Sequence, residues 1–459
     1  SQPFSSAVNL VAFCVCCGLI AFTILPVIAR QRQAARATIC SNNLRQIGLA
    51  FHNYHAAYKQ LPDATGGTTD NASPDLSNQG RLGPLVGLLP FCENQRLWEV
   101  IANPYVNPET GQEFPPMGPA PWYSPSEYLP WGMAPNVYQC PGDDPGDTPD
   151  AEAKTVYSLT EQGTSYAVSS YCACYGDGTV MQAEESDLTA DGMRRRMATH
   201  RGIFQAGRKT KFRDILDGLS NTILYSELIA SRRRMPGRSE IARDVSGINK
   251  NPSLCITASK STDTKFWVFG RGSLWADGFL PISGFQTVLP PNSPSCTSDL
   301  GIEDTISSAS SSHAGGVHIL MADGAVAFAS DTIDTGDITA PGISIEPGYA
   351  QPGSKSPYGI WGALGSRASA ERFHPSSGIS PIPREPRLSG GGMKQHRMRR
   401  WRDSSGRVSL QAEMVEIIDQ KTIQLKSTNG TIHEVPLNSL NDQDIYRAVM
   451  EDLARKQSQ

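Results

Sequence analysis

The sequence predicts an α+β chain: one long N-terminal helix packed on a loop-elaborated antiparallel sheet, followed by a second, small β domain. Three observations carry this. Residues Ala7 to Ala29 hold no charge and are rich in Leu, Ile, Val and Phe, and helical periodicity continues beyond them to Tyr58. Two apolar runs, Val317 to Ala322 and Ala325 to Phe328, flank Asp323-Gly324, a two-residue hairpin signal. Near the C-terminus Val408, Leu410, Ala412 and Met414 alternate with other residues as a half-buried strand does, and Asn429-Gly430 marks another hairpin turn.

The first element is the longest. About 20 apolar residues suffice to span a bilayer, so the uncharged run is read as a transmembrane segment, the alternative being a buried core helix. It lacks the basic start and short apolar core of a cleaved secretory signal. Pro26 removes one helical hydrogen bond and predicts a kink. Leu44, Ile47, Phe51, Tyr54 and Tyr58 then share one face at spacings of three and four, and Leu61-Pro62 marks the stop. Residues 63–150 are rich in Gly, Pro, Asn and Asp and read as loops around a short helix from Glu93 to Ala102. Ser165 to Tyr175 reads as a strand, and Asn221 to Ala230 as a strand or a helix end. Phe266, Trp267, Val268, Phe269, Trp275 and Phe279 read as core. Residues 376–400 form a linker that Pro381, Pro383 and Pro386 stiffen and Gly390-Gly391-Gly392 loosens. Its basic run, Lys394 to Arg402, is either solvated or a contact for acidic lipid, polymer or a partner. In the last segment Ile423 and Leu425 start a strand, Ile432 to Val435 returns, and a helix with Ile445, Val449 and Leu453 on one face begins at Asp442. The predicted divisions are therefore 1–30, 31–375, 376–400 and 401–459.

Composition narrows the function. With 41 basic against 45 acidic residues, no electrostatic footprint for nucleic acid is present. Gly 42 and Pro 33 suit a loop-rich molecule. Of ten cysteines, Cys14, Cys16 and Cys17 lie in the apolar run; the others are Cys40, Cys92, Cys140, Cys172, Cys174, Cys255 and Cys296. These seven are scattered without Cys-x2-Cys pairs, which argues against a zinc site and for disulfides in an oxidising compartment with one thiol left over. Buried free thiols are the alternative. Cys172 and Cys174, on one side of a strand, are too close to bridge each other without strain.

Chemistry-bearing patterns are few. No Gly-x-Ser-x-Gly elbow and no cysteine–histidine context supplies a nucleophile with its base, so the chain is read as no enzyme. His313 and Asp323 could form an acid/base pair. The structural reading puts His313 where a strand begins, bonding backbone of the hairpin, and Asp323 first in a tight turn. Asp143, Asp144 and Asp147, in a Pro/Gly-rich loop, are candidate calcium ligands, with a solvated turn as the alternative. No other cofactor is expected.

Nine residues separate His313 from Asp323-Gly324, and Gly315 and Gly316 follow the histidine. That spacing resembles the signature of the prepilin-type family catalogued as domain of unknown function 1559. Other boxes are similar in order and spread: Cys40 to His55, Leu88-Leu89-Pro90-Phe91, Val137 to Asp143 with Cys140-Pro141, Asp217-Gly218-Leu219-Ser220-Asn221-Thr222, and Tyr358 to Ala368. Trp401-Arg402-Asp403, Ala412-Glu413 and Val435-Pro436-Leu437 resemble the small SH3-like barrel called Sla-one homology domain, type one, which binds short peptides in endocytic adaptors. The first resemblance implies a membrane-embedded helix and an exported body. Charge bias alone, with Arg30, Arg32 and Arg36 just past the apolar run, would keep that end in the cytoplasm. The cysteines side with export.

The resemblance also implies assembly into a bacterial surface filament or secretion pseudopilus through packed N-terminal helices, with Ala7, Asn9, Val11, Val15, Ile20 and Ile24 as contacts. The family pattern departs here. Phe4 stands where a Gly precedes the cleavage point, Ser5 where a methylated Phe starts the mature chain, and Asn9 where a Glu neutralises a neighbour's terminal amine. Expected partners are the membrane and filament neighbours of the same chain. The alternative is a monomeric membrane-anchored envelope protein binding a peptide, glycan or wall polymer.

Overall fold

A computed structural model describes residues 2–69, 73–143, 166–179, 199–205, 207–230, 238–267, 269–298, 304–345, 347–369, 371 and 378–381, and C-terminally 399–402, 409–418, 422–427, 431–436 and 439; side chains at 2–27, 29, 381, 399–402, 409 and 411–418 are outside the description. The chain divides into two units, Ser1–Pro383 and Arg384–Gln459.

Helix α1 runs unbroken from Gln2 to Tyr58, through Pro26. It stops one residue later, where Lys59 takes a left-handed φ of 60°. From residue 28 to 39 the described side chains are exposed, apart from the half-buried Ala37; from Cys40 the helix enters the body. There Cys40, Leu44, Ile47 and Phe51 are fully buried, the stripe the i, i+3, i+4 pattern predicts. Tyr54 packs its ring on Phe91, and Tyr58 is 57% exposed. The short helix predicted near residue 93 is α2, Gln95–Ala102.

Six strands make the central sheet: β1 (Tyr171–Cys174), β2 (Ile223–Glu227), β3 (Gly284–Phe285), β4 (Gly316–Met321), β5 (Val326–Ser330) and β6 (Ile379–Pro381), in the order β6-β5-β4-β2-β1-β3. All neighbours are antiparallel except β1 and β3, which pair parallel through Ala173 and Gly284. Both faces are buried. Tyr171, Ala173, Tyr225 and Leu320 face the α1 side. Cys172, Cys174, Ile223, Val317 and Ile319 face a second core closed by Trp361 and Leu364 of helix α3 (Gly359–Gly365). The period of two thus places the two cysteine side chains on one side, as predicted. A bulge in β2 skips Leu224, so that Leu320 pairs with Tyr225 but Met321 with Ile223. A smaller four-stranded sheet joins Lys265–Phe266, Ile241–Arg243, Ser295–Thr297 and Thr305–Ile306. Trp275 and Phe279 are buried as predicted, Phe266, Trp267 and Phe269 only partly, and Val268 lies outside the described residues.

The hairpin differs from its prediction in detail. Gly324 N–H donates to Met321 O at 2.9 Å, Met321 pairs with Ala325, and Gly324 has φ 84°. The turn therefore holds three residues with glycine in the left-handed position, not two. Asp323 is its second residue and accepts from Ala325 N–H at 2.8 Å. The expected linker also begins later: Ile379–Pro381 is strand β6, pairing with Ala327 to Ala329 and forming the sheet edge.

In the C-terminal unit β7 (Arg399–Arg402), β8 (Ser409–Ile418), β9 (Thr422–Ser427) and β10 (Ile432–Pro436) form an antiparallel meander in sequence order. The basic run thus ends in a strand. β9 and β10 flank the predicted Asn429-Gly430 turn, itself outside the described residues, as is the helix expected from Asp442. The unit is a small β domain, but no barrel closes among the described residues, because β7 and β10 remain the edges of an open sheet.

Candidate functional site at the Cys40–Cys140 disulfide

Three segments converge beneath α1. Cys40, the first buried residue among the described side chains of the helix, is bonded to Cys140 with Cα atoms 5.0 Å apart. Cys140 sits in a loop tied to the helix by a second link, Asn43 Nδ2 donating to Gln139 O at 3.0 Å. The Tyr171 hydroxyl donates to Cys40 O at 3.2 Å, which docks the helix on β1.

Beside the disulfide is a buried carboxylate with two imidazoles. Glu227 ends β2 and His318 lies in β4, one position beyond the Ile319–Ser226 pair, so alternation brings both to the α1 side. His318 gives its backbone N–H to Glu227 Oε2 and its Nδ1–H to Oε1, both at 2.8 Å. His313 Nε2 lies 3.3 Å from the same Oε1 and 3.5 Å from Cys140 Sγ. The two rings meet edge to face at 5.2 Å. Gly315, at φ 85°, turns the chain into β4, and a Cβ on Gly316 would meet Ala329 O at 2.0 Å, so only glycine fits there.

Burial is the largest influence on Glu227 and pushes its carboxyl up. Hydrogen bonds and positive charge from His313 and His318 outweigh it and hold the group at about 2. For His313 burial acts downward, but the bond to and charge of Glu227, with the charge of Asp143, raise it. The signs follow from linkage. The Glu227 contribution to stability is present above its ordinary value of 4.5 and is lost as pH falls towards about 2. The His313 contribution is complete below its ordinary 6.5 and is lost as pH rises through the raised folded value. Urea midpoints measured across pH should therefore peak between these two ordinary values. Glu227→Gln should flatten both limbs, and His313→Gln should remove the alkaline one.

Asp143 turns inward. Its Oδ2 accepts from Ser170 Oγ at 3.0 Å and Ala230 N–H at 2.6 Å, and its Oδ1 from Ser312 Oγ at 3.4 Å. It fastens the loop to the body; its proposed calcium companions Asp144 and Asp147 lie outside the described residues. A cavity of about 480 Å³ opens beside it, lined by Asn43, Gln139, Cys140, Asp143 and Ser170.

The cysteine expectation is corrected in number. Two disulfides form, Cys40–Cys140 and Cys255–Cys296, and three thiols stay free among the described residues, Cys92, Cys172 and Cys174, rather than one. Burial pushes the Cys172 thiol up to about 12 and raises Cys174 as well, so neither is poised as a thiolate. His313 and Asp323 do not form a pair: they stand at opposite ends of β4, a strand of roughly 20 Å by its rise per residue. His313 bonds a carboxylate and lies against a disulfide sulfur rather than bonding hairpin backbone. Glu227 and His318 went unmarked in the sequence. The available signal was a lone acid inside the otherwise uncharged run Thr222 to Ala230. Ala7, Asn9, Val11, Val15, Ile20 and Ile24 lie on α1, with side chains outside the description.

Three of the boxes that resemble a known family thus supply residues to this site. A family model described as "Protein of unknown function (DUF1559)" matches residues 29–336, more than half of the chain. The chain belongs to that family. A second model, SLA1 homology domain 1, matches residues 392–456, covering the meander β7–β10. No curated protein and no solved structure matches the chain. Family membership and the two disulfides point to an exported, envelope-associated protein. Among the described residues no helix is long and apolar enough to cross a membrane; most of the uncharged run at 7–29 falls where side chains are not described.

Proposed function

We propose that the chain is a structural subunit of a bacterial surface filament or secretion pseudopilus, anchored and assembled through the N-terminal part of α1, with no catalytic role. One observation carries the reading. α1 is a single helix of 57 residues, and its part from Cys40 onward is packed into the body. The described side chains from 28 to 39 are exposed apart from the half-buried Ala37, and before them the sequence has a stretch without charge. A helix so apolar needs lipid or neighbouring helices around it. The disulfide and the Glu227 cluster fit as its socket, holding the far end of the helix while the near end packs elsewhere.

Asn9 favours a second reading, a monomeric membrane-anchored envelope protein that binds a peptide, glycan or wall polymer, because asparagine cannot neutralise a neighbour's amine in a low-dielectric bundle. Electron microscopy of sheared surface material, with mass spectrometry of its subunits, separates the two. Filaments containing this chain are the expected result; recovery only as single particles from membranes would overturn the filament. Asn9→Glu should raise filament yield if the chain is a weakened pilin and leave it unchanged if it is a plain anchor.

A further inference from the structure

We propose that Cys40, Cys140, His313 and Glu227 form a tetrahedral zinc site whenever the Cys40–Cys140 bond is reduced. One ligand atom from each lies within 4.8 Å of all the others. Zinc takes thiolate sulfur at roughly 2.3 Å and nitrogen or oxygen at roughly 2.0–2.1 Å, so a regular site has edges of about 3.6 Å from sulfur to nitrogen and about 3.3 Å from nitrogen to oxygen. Cys140 Sγ and His313 Nε2 are 3.5 Å apart, and His313 Nε2 and Glu227 Oε1 are 3.3 Å apart. Two of the six edges are therefore in place already, and the three others that involve His313 or Glu227 with a sulfur lie within 4.8 Å. The edge that must lengthen is the one between the sulfurs, to about 3.8 Å, and breaking the disulfide releases it.

The surroundings also suit a metal. His318 holds both oxygens of Glu227, one from its ring and one from its backbone, as outer partners orient a ligating carboxylate. Cys140 lines the cavity of about 480 Å³, which gives an ion a way in. The ligands come from α1, the loop at 140, the end of β2 and the approach to β4, so zinc would join the elements the disulfide joins and one cross-link would replace the other. A chain still in a reducing compartment has no disulfide, and there the metal would hold α1 in its socket.

The chemistry balances. A dithiol reductant supplies two electrons and two protons, breaks the sulfur–sulfur bond and leaves as its own cyclic disulfide. Zinc then displaces two protons from the thiols and binds Nε2 of a neutral His313, whose remaining proton is on Nδ1.

The test uses the full chain in detergent, reduced, freed of metal and loaded with zinc alone or cobalt alone. The expected result is one tightly held ion per chain, a cobalt spectrum with thiolate charge-transfer bands and tetrahedral d–d bands, and a zinc X-ray absorption shell of two sulfurs and two lighter atoms. The oxidised chain should hold none. His313→Ala and Glu227→Gln should weaken binding by about tenfold or more, as loss of a ligand or its support does, while joint Cys14→Ser, Cys16→Ser and Cys17→Ser substitution leaves it unchanged. Three or four sulfurs in the shell, binding that disappears with Cys14, Cys16 and Cys17, or full affinity in His313→Ala would overturn the proposal. Should His313→Ala fail to fold, the absorption shell of the unsubstituted chain decides.

Discussion

Cys140→Ser is expected to destabilise the N-terminal unit by about 2–5 kcal/mol. The bond closes a loop with a sequence separation of 100, and on the chain-entropy account such a loop constrains the unfolded chain by nearly 5 kcal/mol. Cys255–Cys296 closes a separation of 41, and the logarithmic dependence makes its contribution smaller by about 0.8 kcal/mol. The loss should also be local. Without the covalent link the loop at 136–143 is held by hydrogen bonds alone, among them Asn43 to Gln139 O, Ser170 N–H to Tyr138 O, the Tyr138 hydroxyl to Leu85 O and the bonds to Asp143, so amide exchange should rise first there and around Cys40. Chemical denaturation of the oxidised protein measures the first effect and hydrogen exchange the second. The double variant Cys40→Ser, Cys140→Ser should equal the single one. A Cys140→Ser chain as stable as the unsubstituted one would show that the helix is held by packing alone.

Glu227→Ala is expected to cost about 3–5 kcal/mol, the magnitude seen when one member of a buried charged cluster is removed. The carboxylate is 1% exposed and is the acceptor for His318 N–H, for His318 Nδ1–H and for the nearby His313 Nε2. Alanine would leave buried donors with nothing to bond, each at about 1–3 kcal/mol. Glu227→Gln keeps an acceptor oxygen and nearly the same volume, so it should cost less than alanine while removing the pH dependence. The ordering is the decisive part. If glutamine and alanine destabilise equally, volume and hydrogen bonding are irrelevant and the charge alone matters. If neither destabilises, the cluster does not hold β2 to β4.

Much of the architecture was legible because its causes are local. The stripe Leu44, Ile47, Phe51 depends only on 3.6 residues per turn, and the alternation that puts Cys172 and Cys174 on one side depends only on the pleat. The hairpin was legible as a hairpin, but its three-residue turn was not, because Asp-Gly suits both a two-residue turn and the left-handed end of a longer one. Pro381 read as linker because proline cannot donate to a ladder; an edge strand such as β6 tolerates it. The C-terminal strands were read from alternation, whereas closure into a barrel depends on contacts between first and last strands that alternation does not encode.

The sequence by itself determined the long helix, the hairpin, the β character of the C-terminal unit and the family, all of which rest on periodicity or on residues near one another in the chain. Only the tertiary structure decided which cysteines bond, that Glu227 and His318 belong with His313, and that the loop at 140, the end of β2 and the approach to β4 meet under α1. The physical reason is separation. Cys40 and Cys140 stand 100 positions apart, and His318 and Glu227 stand 91 apart. Their encounter is set by the register of β2 against β4 and by the docking of one helix on that sheet. Scattered cysteines whose partners the spacing could not assign become, once the chain is folded, one bonded pair beside a buried carboxylate.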